Sequence, residues 1–183
     1  MKFKRSYLNN IILRHLKQSD ESAFKSALSE NWEGNFIFAH YFDSLGNQSF
    51  ETYVNVLPQI SLGKLIPPEH VPSTLLFAFD DQGQIVGRVS IRHELNALLL
   101  KVGGHVGYGV TPSRRRQGFA SEILKQSLPY IRKELPHLEK ILLTCDDSNL
   151  GSRKTIEKNG GVFENLYQEA STAEAKRRYW IKL

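Results

Sequence analysis

GHVGYGVTPSRRRQGFASE, running from Gly104 to Glu122, is the most informative stretch of the chain. Residues 105 to 111 read as a strand, Thr111-Pro112-Ser113 as a turn, Arg114 to Arg116 as a basic corner, and Gly118 to Glu134 as a helix. The helix carries an apolar stripe of Ala120, Ile123, Leu124, Leu128, Ile131 and Leu135, and Pro129 inside it predicts a kink or early break. A helix's first turn leaves backbone N–H groups without partners and carries about half a positive charge, so a phosphate placed over it satisfies both. Arginines beside it add charge-assisted hydrogen bonds, and Gly118 permits close approach of an anion to the backbone. The stretch therefore reads as an anion site. A Walker loop, GxxxxGK[ST], is absent, and Pro112 stands where a dinucleotide fingerprint beginning at Gly107 would need its last glycine.

Working outward, Ser73 to Asp80 and Gln84 to Glu94 read as antiparallel strands joined across Asp80-Asp81-Gln82-Gly83. Downstream, Lys140 to Thr144 reads as a short buried strand, Asn149 to Lys158 as a helix closed by Gly160 and Gly161, and 162 to 168 and 174 to 182 as two last strands. Upstream, Ile11 to Leu16 reads as a strand, followed by a helix capped by Asp20 whose spacing puts Ala23, Phe24, Ala27 and Leu28 on one face. A second helix is expected near 49 to 60, capped by Ser49 and stopped by Pro58, and then an irregular loop from 61 to 73. The order is α/β with an antiparallel start.

With 183 residues, 40% hydrophobic and 23% charged, the chain has the size and mix of a single domain. Its one cysteine, Cys145, forms no intramolecular disulfide, and no Cys or His spacing suits zinc, so no metal is expected. The longest apolar run, Leu75 to Phe79, is far short of the roughly 18 residues a membrane span requires. Arg14 and His15 interrupt the apolar stretch before it, so a cytoplasmic location is expected. The net charge of +5 suits an anionic ligand. Nucleic acid is disfavoured, since the chain lacks the stacked aromatics or recognition helix such modules use.

The run Arg115-Arg116-Gln117-Gly118-Phe119-Ala120, preceded by Val110-Thr111-Pro112, resembles the Q/R-x-x-G-x-G/A motif of the GNAT N-acetyltransferase superfamily. Asn149-Leu-Gly-Ser152 and Ile156-Glu-Lys-Asn-Gly-Gly161 resemble that family's second cofactor helix, and Ile91 to Asn96, Gly103 to Tyr108 and Arg178 to Ile181 look like a bacterial subgroup of acetyltransferases. The resemblance implies a GNAT-like, mixed but mostly antiparallel sheet flanked by helices, with 73–183 as the acetyl-CoA half and 1–72 shaping the acceptor side. It implies acetyl-CoA as donor, its diphosphate on the amides from Arg115 through Arg116, Gln117, Gly118 and Phe119 to Ala120. The pantetheine arm would lie beside the strand ending at Val110, touched by Asn149 and Ser152, with the thioester near Tyr108 and Gly109.

Members of this family transfer acetyl directly to an amine. An amine of pKa near 10.4 is neutral in only about one molecule in 2,000 at pH 7, so a proton must be removed or the rare free base bound. His105, standing where relatives often carry Glu, is the first candidate base, and Glu94 with His93 the second. The family's usual acid, a tyrosine of the second cofactor helix, falls at Ile156, which leaves Tyr108, Tyr167, Tyr179 or water. The expected function is acetylation of a primary amine on a small molecule. Peptide or protein acetylation, and acetyl-CoA sensing without turnover, are the alternatives, and a homodimer stays open. Asp80-Asp81 reads as a turn, Asp146-Asp147 as a helix start, and Lys176-Arg177-Arg178 as a solvated sheet edge.

Overall fold

The computed structural model describes residues 10–32, 36–42, 49–168 and 174–183. Its centre is the apolar run read above, now strand β2 (Ser73–Phe79), buried at every position. A strand without polar alternation must be covered on both faces. Leu75, Phe77 and Phe79 face a layer that holds Phe24 of helix α1 (Glu21–Leu28) and Tyr53, Leu57 and Ile60 of helix α2 (Phe50–Ser61). Leu76 and Ala78 face the opposite layer, where Ile123, Leu124, Leu128 and Ile131 of helix α3 (Phe119–Glu134) are buried. The α3 stripe is thus the one its sequence spacing predicts.

Two sheets share this core. The first runs β1 (Ile12–Arg14), β2, β3 (Ile85–Arg92), β4 (Val106–Val110), all antiparallel. The second has the order β5 (Lys140–Asp146), β7 (Lys176–Lys182), β6 (Val162–Tyr167), also antiparallel, with helix α4 (Leu150–Lys158) between β5 and β6 in the chain. The hairpin turn between β2 and β3 is held by the Asp80 carboxylate, which accepts from the Gln82 and Gln84 amides at 3.0 and 2.9 Å, with Gly83 at φ +71°.

Several expectations need correction. Ser49 does cap α2, accepting from the Thr52 amide at 3.1 Å, but Pro58 sits inside that helix rather than ending it. Burial of Tyr53, Leu57 and Ile60 outweighs the roughly 3 kcal/mol an internal proline costs. Helix α3 likewise runs unbroken through Pro129. Asp20 stands at the start of α1, yet its carboxylate makes no helix cap. It accepts instead from Arg14 Nη1 and Nη2 at 2.7 and 2.9 Å and from the Lys17 amide at 2.7 Å, because a buried carboxylate gains more from a bidentate guanidinium. Lys176-Arg177-Arg178 is no solvated edge: β7 is the middle strand of its sheet, and these cations pair with Asp146, Asp147 and Glu164.

The two sheets touch at one hydrogen-bonded point. The His105 amide donates to Leu142 O at 2.7 Å, and the Leu142 amide donates to His105 Nδ1 at 2.9 Å, so a side chain stands in for a ladder acceptor. Just before it, Gly104 takes φ +65°, and a Cβ there would meet the Leu142 carbonyl. From this seam β4 and β5 diverge and leave an open wedge.

His105 is buried, and burial together with Arg92 and His137 pushes its pKa from 6.5 down to about 4, despite the opposing pull of the Leu142 bond. The folded state thus holds the ring neutral, and protonation favours the unfolded chain. Stability from this group is complete above pH 6.5 and drains away as pH falls toward 4, at a slope of at most about 1.4 kcal/mol per pH unit. Urea melts between pH 4 and 8 should show this slope reduced in His105→Asn, whose amide oxygen can still accept from Leu142. His105→Ala, which orphans that N–H, should lose about 1–3 kcal/mol at pH 7.5; an Ala variant as stable as wild type would dismiss the seam.

Candidate active site

The basic corner is braced from outside. The Ser113 amide and hydroxyl both donate to the Glu30 carboxylate at 2.8 Å, and Arg114 Nη2 pairs with Asp80 Oδ2 at 2.9 Å. Held this way, the backbone turns left-handed at Arg116 (φ +61°) and again at Gly118 (φ +90°) before α3 begins. Among the described residues, the amides of Arg116, Gly118, Phe119 and Ala120 donate to no protein acceptor. They border a cavity of about 370 Å³ lined by Arg114, Arg115, Arg116, Gly118, Phe119 and Ala120 on one side and by Gly151, Ser152 and Thr155 of α4 on the other. Orphaned amides, guanidinium groups and a helix N-terminus around one space fit a diphosphate.

The wedge between β4 and β5 opens from that cavity. It has a volume of about 700 Å³ and is lined by Tyr108, Gly109 and Val110 on β4, Thr144, Cys145 and Asp146 on β5, and Asn149 and Ser152 at the start of α4. The Thr111 amide donates to Val86 O at 3.0 Å, and the alternation of an antiparallel ladder then turns the N–H and C=O of Tyr108 and Val110 away from β3 and toward the wedge. Asn149 caps α4, its Oδ1 accepting from the Ser152 amide at 2.9 Å, and Asn159 Nδ2 ties α4 to α3 through Ser121 O at 3.3 Å. Gly109 faces Phe36 so closely that a Cβ there would collide with the ring.

Of the residues singled out from sequence, Val110, Arg115, Arg116, Gly118, Phe119, Ala120, Asn149, Ser152 and Tyr108 all line these two connected spaces. Gln117 is in the same loop, its side chain donating to Ser113 O at 3.3 Å. His105 and Glu94 stand apart. His105 sits in the seam, and exposed Glu94 follows the end of β3; neither lines a cavity. His93 is engaged by Thr74 Oγ1 at 2.8 Å. Among the three tyrosines, Tyr108 alone lines the wedge; its hydroxyl donates to Ser152 O at 3.4 Å, and burial pushes its pKa up to about 12. Tyr179 is fully buried and donates to Glu157 Oε1 at 3.1 Å. Ile156 is 1% exposed in the core, so of α4 only Gly151, Ser152 and Thr155 line the two spaces, and only Ser152 lines the wedge.

Cys145 reaches the wedge, but burial, reinforced by Asp146, pushes its thiol up to about 11, which leaves it protonated and poorly nucleophilic. Asp146 and Asp147 do not start α4; they end β5 and pair across the sheet with Lys176 and Arg177. Sequence reasoning missed Thr144 and Thr155 as lining residues, which carry no motif, and quoted Gly151 only within the Asn149–Ser152 run. It also missed a third space, of about 180 Å³, lined by Phe36, Ile37, His40, Arg88, Ser90, Arg92 and Gly107. A signal existed for it: Arg88, Ser90 and Arg92 alternate with Val89 and Ile91 along β3, a period-2 polar face inside a buried strand. Among the described residues, no three His, Cys, Asp or Glu side chains gather as a metal site would require, and no helix is long and apolar enough to cross a membrane.

Comparison with solved structures finds the same fold in distant relatives. The ribosomal-protein-S5-alanine acetyltransferase of Vibrio fischeri aligns at 17% identity over 94% of this chain and 92% of that one, with a TM-score of 0.64. The spermidine/spermine N-acetyltransferase SpeG of Vibrio cholerae aligns at 20% identity over 94% and 92%, with a TM-score of 0.59. A GNAT-family acetyltransferase of Bacillus anthracis aligns at 17% identity over 94% of each chain, with a TM-score of 0.58. None of the curated protein sequences matches the chain. The family is set by the sequence itself: residues 10–162 match the acetyltransferase (GNAT) domain, so the chain belongs to the GNAT family and is an N-acetyltransferase.

Proposed function

We propose that the protein transfers acetyl from acetyl-CoA to a primary amine of a small molecule within a ternary complex. The observation that carries this reading is the junction of two spaces: arginines and amides that have no acceptor among the described residues around one, and a strand edge whose N–H and C=O groups turn away from β3 along the other. The diphosphate of acetyl-CoA lies on the amides of Arg116 and Gly118 to Ala120. Its pantetheine amides extend the edge of β4 as an added strand would, between Val110 and the Asn149–Ser152 turn. This places the thioester carbonyl beside Tyr108 and Gly109. Residues 1–72 shape the acceptor side, through Trp32 and Phe36 at the wall of the wedge.

In the transfer, the amine nitrogen attacks the thioester carbonyl carbon, a C–N bond forms, the C–S bond breaks, and the products are an N-acetyl amide and CoA thiol. Arg88, Arg92, Arg115 and Lys176 lie along or beside the spaces the acceptor must use. Cations around an amine favour its uncharged form, so the free base binds preferentially; on attack the nitrogen sheds one of its two protons to water and keeps the other as the amide N–H. Tyr108, still protonated far above neutral pH, gives its proton to the departing sulfur and regains one from solvent. His105 acts here as a positioning residue that fixes where the wedge opens.

Calorimetric titration with CoA should give a single site, weakened about 10- to 100-fold in the Arg115→Ala, Arg116→Ala double variant, in keeping with charge-assisted hydrogen bonds to phosphate. Wild type without heat would remove the donor site altogether. In CoA-release assays on amines, Tyr108→Phe should lower kcat about 10- to 100-fold, while His105→Asn should stay within about threefold of wild type. A loss of 100-fold or more in His105→Asn at unchanged fold would restore that histidine as the base. An unaffected Tyr108→Phe would leave water as the acid.

A further inference from the structure

The third space lies on the other face of β4 from the Tyr108 side chain, beside Gly107, and shares Phe36 as a wall with the wedge. Its lining contains two guanidinium groups and an imidazole, and no aspartate or glutamate among the described residues. Arg88 is 4% exposed and has no carboxylate partner among the described residues; Nε donates to Phe38 O at 2.8 Å, Nη2 donates to Ile37 O, and the Phe36 ring lies 4.4 Å from the guanidinium carbon. Arg92 is half-buried and spends only Nη1, on Gly103 O and Gly104 O at 3.2 and 2.9 Å. Several N–H donors of each fork therefore have no acceptor among the described residues. The Ser90 hydroxyl, 6% exposed between them on the same face of β3, also has no hydrogen-bond partner among the described residues. Burial first, and then the nearby Arg88, His70 and Arg92, push the His40 pKa down to about 4, so the imidazole is neutral at neutral pH.

A buried cation without a counter-charge costs several kcal/mol unless something anionic completes it. Gly107 and Gly109 are two residues apart on one strand, so a group held beside Gly107 lies on the order of 7 Å from the proposed thioester position. We propose that this cavity is the anion-binding end of the acceptor site, taking the carboxylate or phosphate of a small primary amine whose nitrogen is acetylated beside Tyr108 and Gly109. This rests on the acetyl-transfer reading above and narrows it: an amino-acid-sized acceptor bearing an acid group fits, and a polyamine, which would bring further positive charge into this lining, does not.

The test uses matched acceptors: glycylglycine against glycylglycinamide for a carboxylate, phosphoethanolamine against ethanolamine for a phosphate, and spermidine as the polycation. In CoA-release assays the acidic member of at least one pair should have kcat/KM tenfold or more above its neutral counterpart, with the difference in KM. Which pair responds tells carboxylate from phosphate. Arg88→Gln also loosens Ile37 and Phe38, so Arg92→Gln and Ser90→Ala carry the test; Arg92→Gln should raise KM for the acidic acceptor about 10- to 100-fold and collapse the preference. A readout free of turnover is the melting temperature of the CoA-bound protein, which the favoured acidic compound near ten times its Kd should raise by about 3 °C or more, and its neutral partner should not. Spermidine or the neutral members preferred in rate or in stabilisation, with CoA binding intact, would overturn the anionic acceptor while leaving acetyl transfer standing. Loss of CoA binding itself would instead fell the reading beneath it.

Discussion

One imidazole holds the two sheets in contact. The Leu142 amide needs an acceptor where β4 and β5 meet, and His105 Nδ1 provides it at 2.9 Å while its own amide uses Leu142 O. Below that point the strands are joined, and above it they part and leave Tyr108, Gly109 and Val110 facing Thr144, Cys145 and Asp146 across an open space. A continuous ladder would bury every backbone group there and leave no room for a ligand. The seam therefore decides both that there is a wedge and where it begins.

The scaffold around the wedge keeps it open at little cost. The aromatic layer built on Phe24, whose ring lies 5.1 Å from Phe50 and 5.4 Å from Tyr53, supports β2 and β3 from one side. Helix α3 supports them from the other and brings its own N-terminus to the mouth of the wedge. Electrostatics follow the same division: carboxylates such as Asp20, Glu30, Asp80 and Asp146 are spent on tethering the frame, and the cations at the cavities keep donors to spare.

Much of this was legible in the chain. The unbroken Leu75–Phe79 run, the Asp80–Gly83 turn and the stripe on α3 each encode local geometry, and local geometry is what spacing reports. The loop before α3 was legible as a cavity wall for the same reason, since its lining residues are nearly consecutive. Contacts between distant elements were not. Nothing in the sequence marks His105 as a substitute ladder acceptor, or sets Lys176 opposite Asp146 instead of in solvent, because these depend on how two sheets meet. Pro58 and Pro129 misled for a related reason: tertiary burial outweighed a local rule.

Arg116 carries a side chain at φ +61°, a shape that costs about 1 kcal/mol or more, and the contacts on the turn just before it offset that cost: Glu30 on Ser113 and Asp80 on Arg114. The left-handed step therefore depends on residues from two distant parts of the chain, and loosening either tether lets the turn relax toward an ordinary backbone shape.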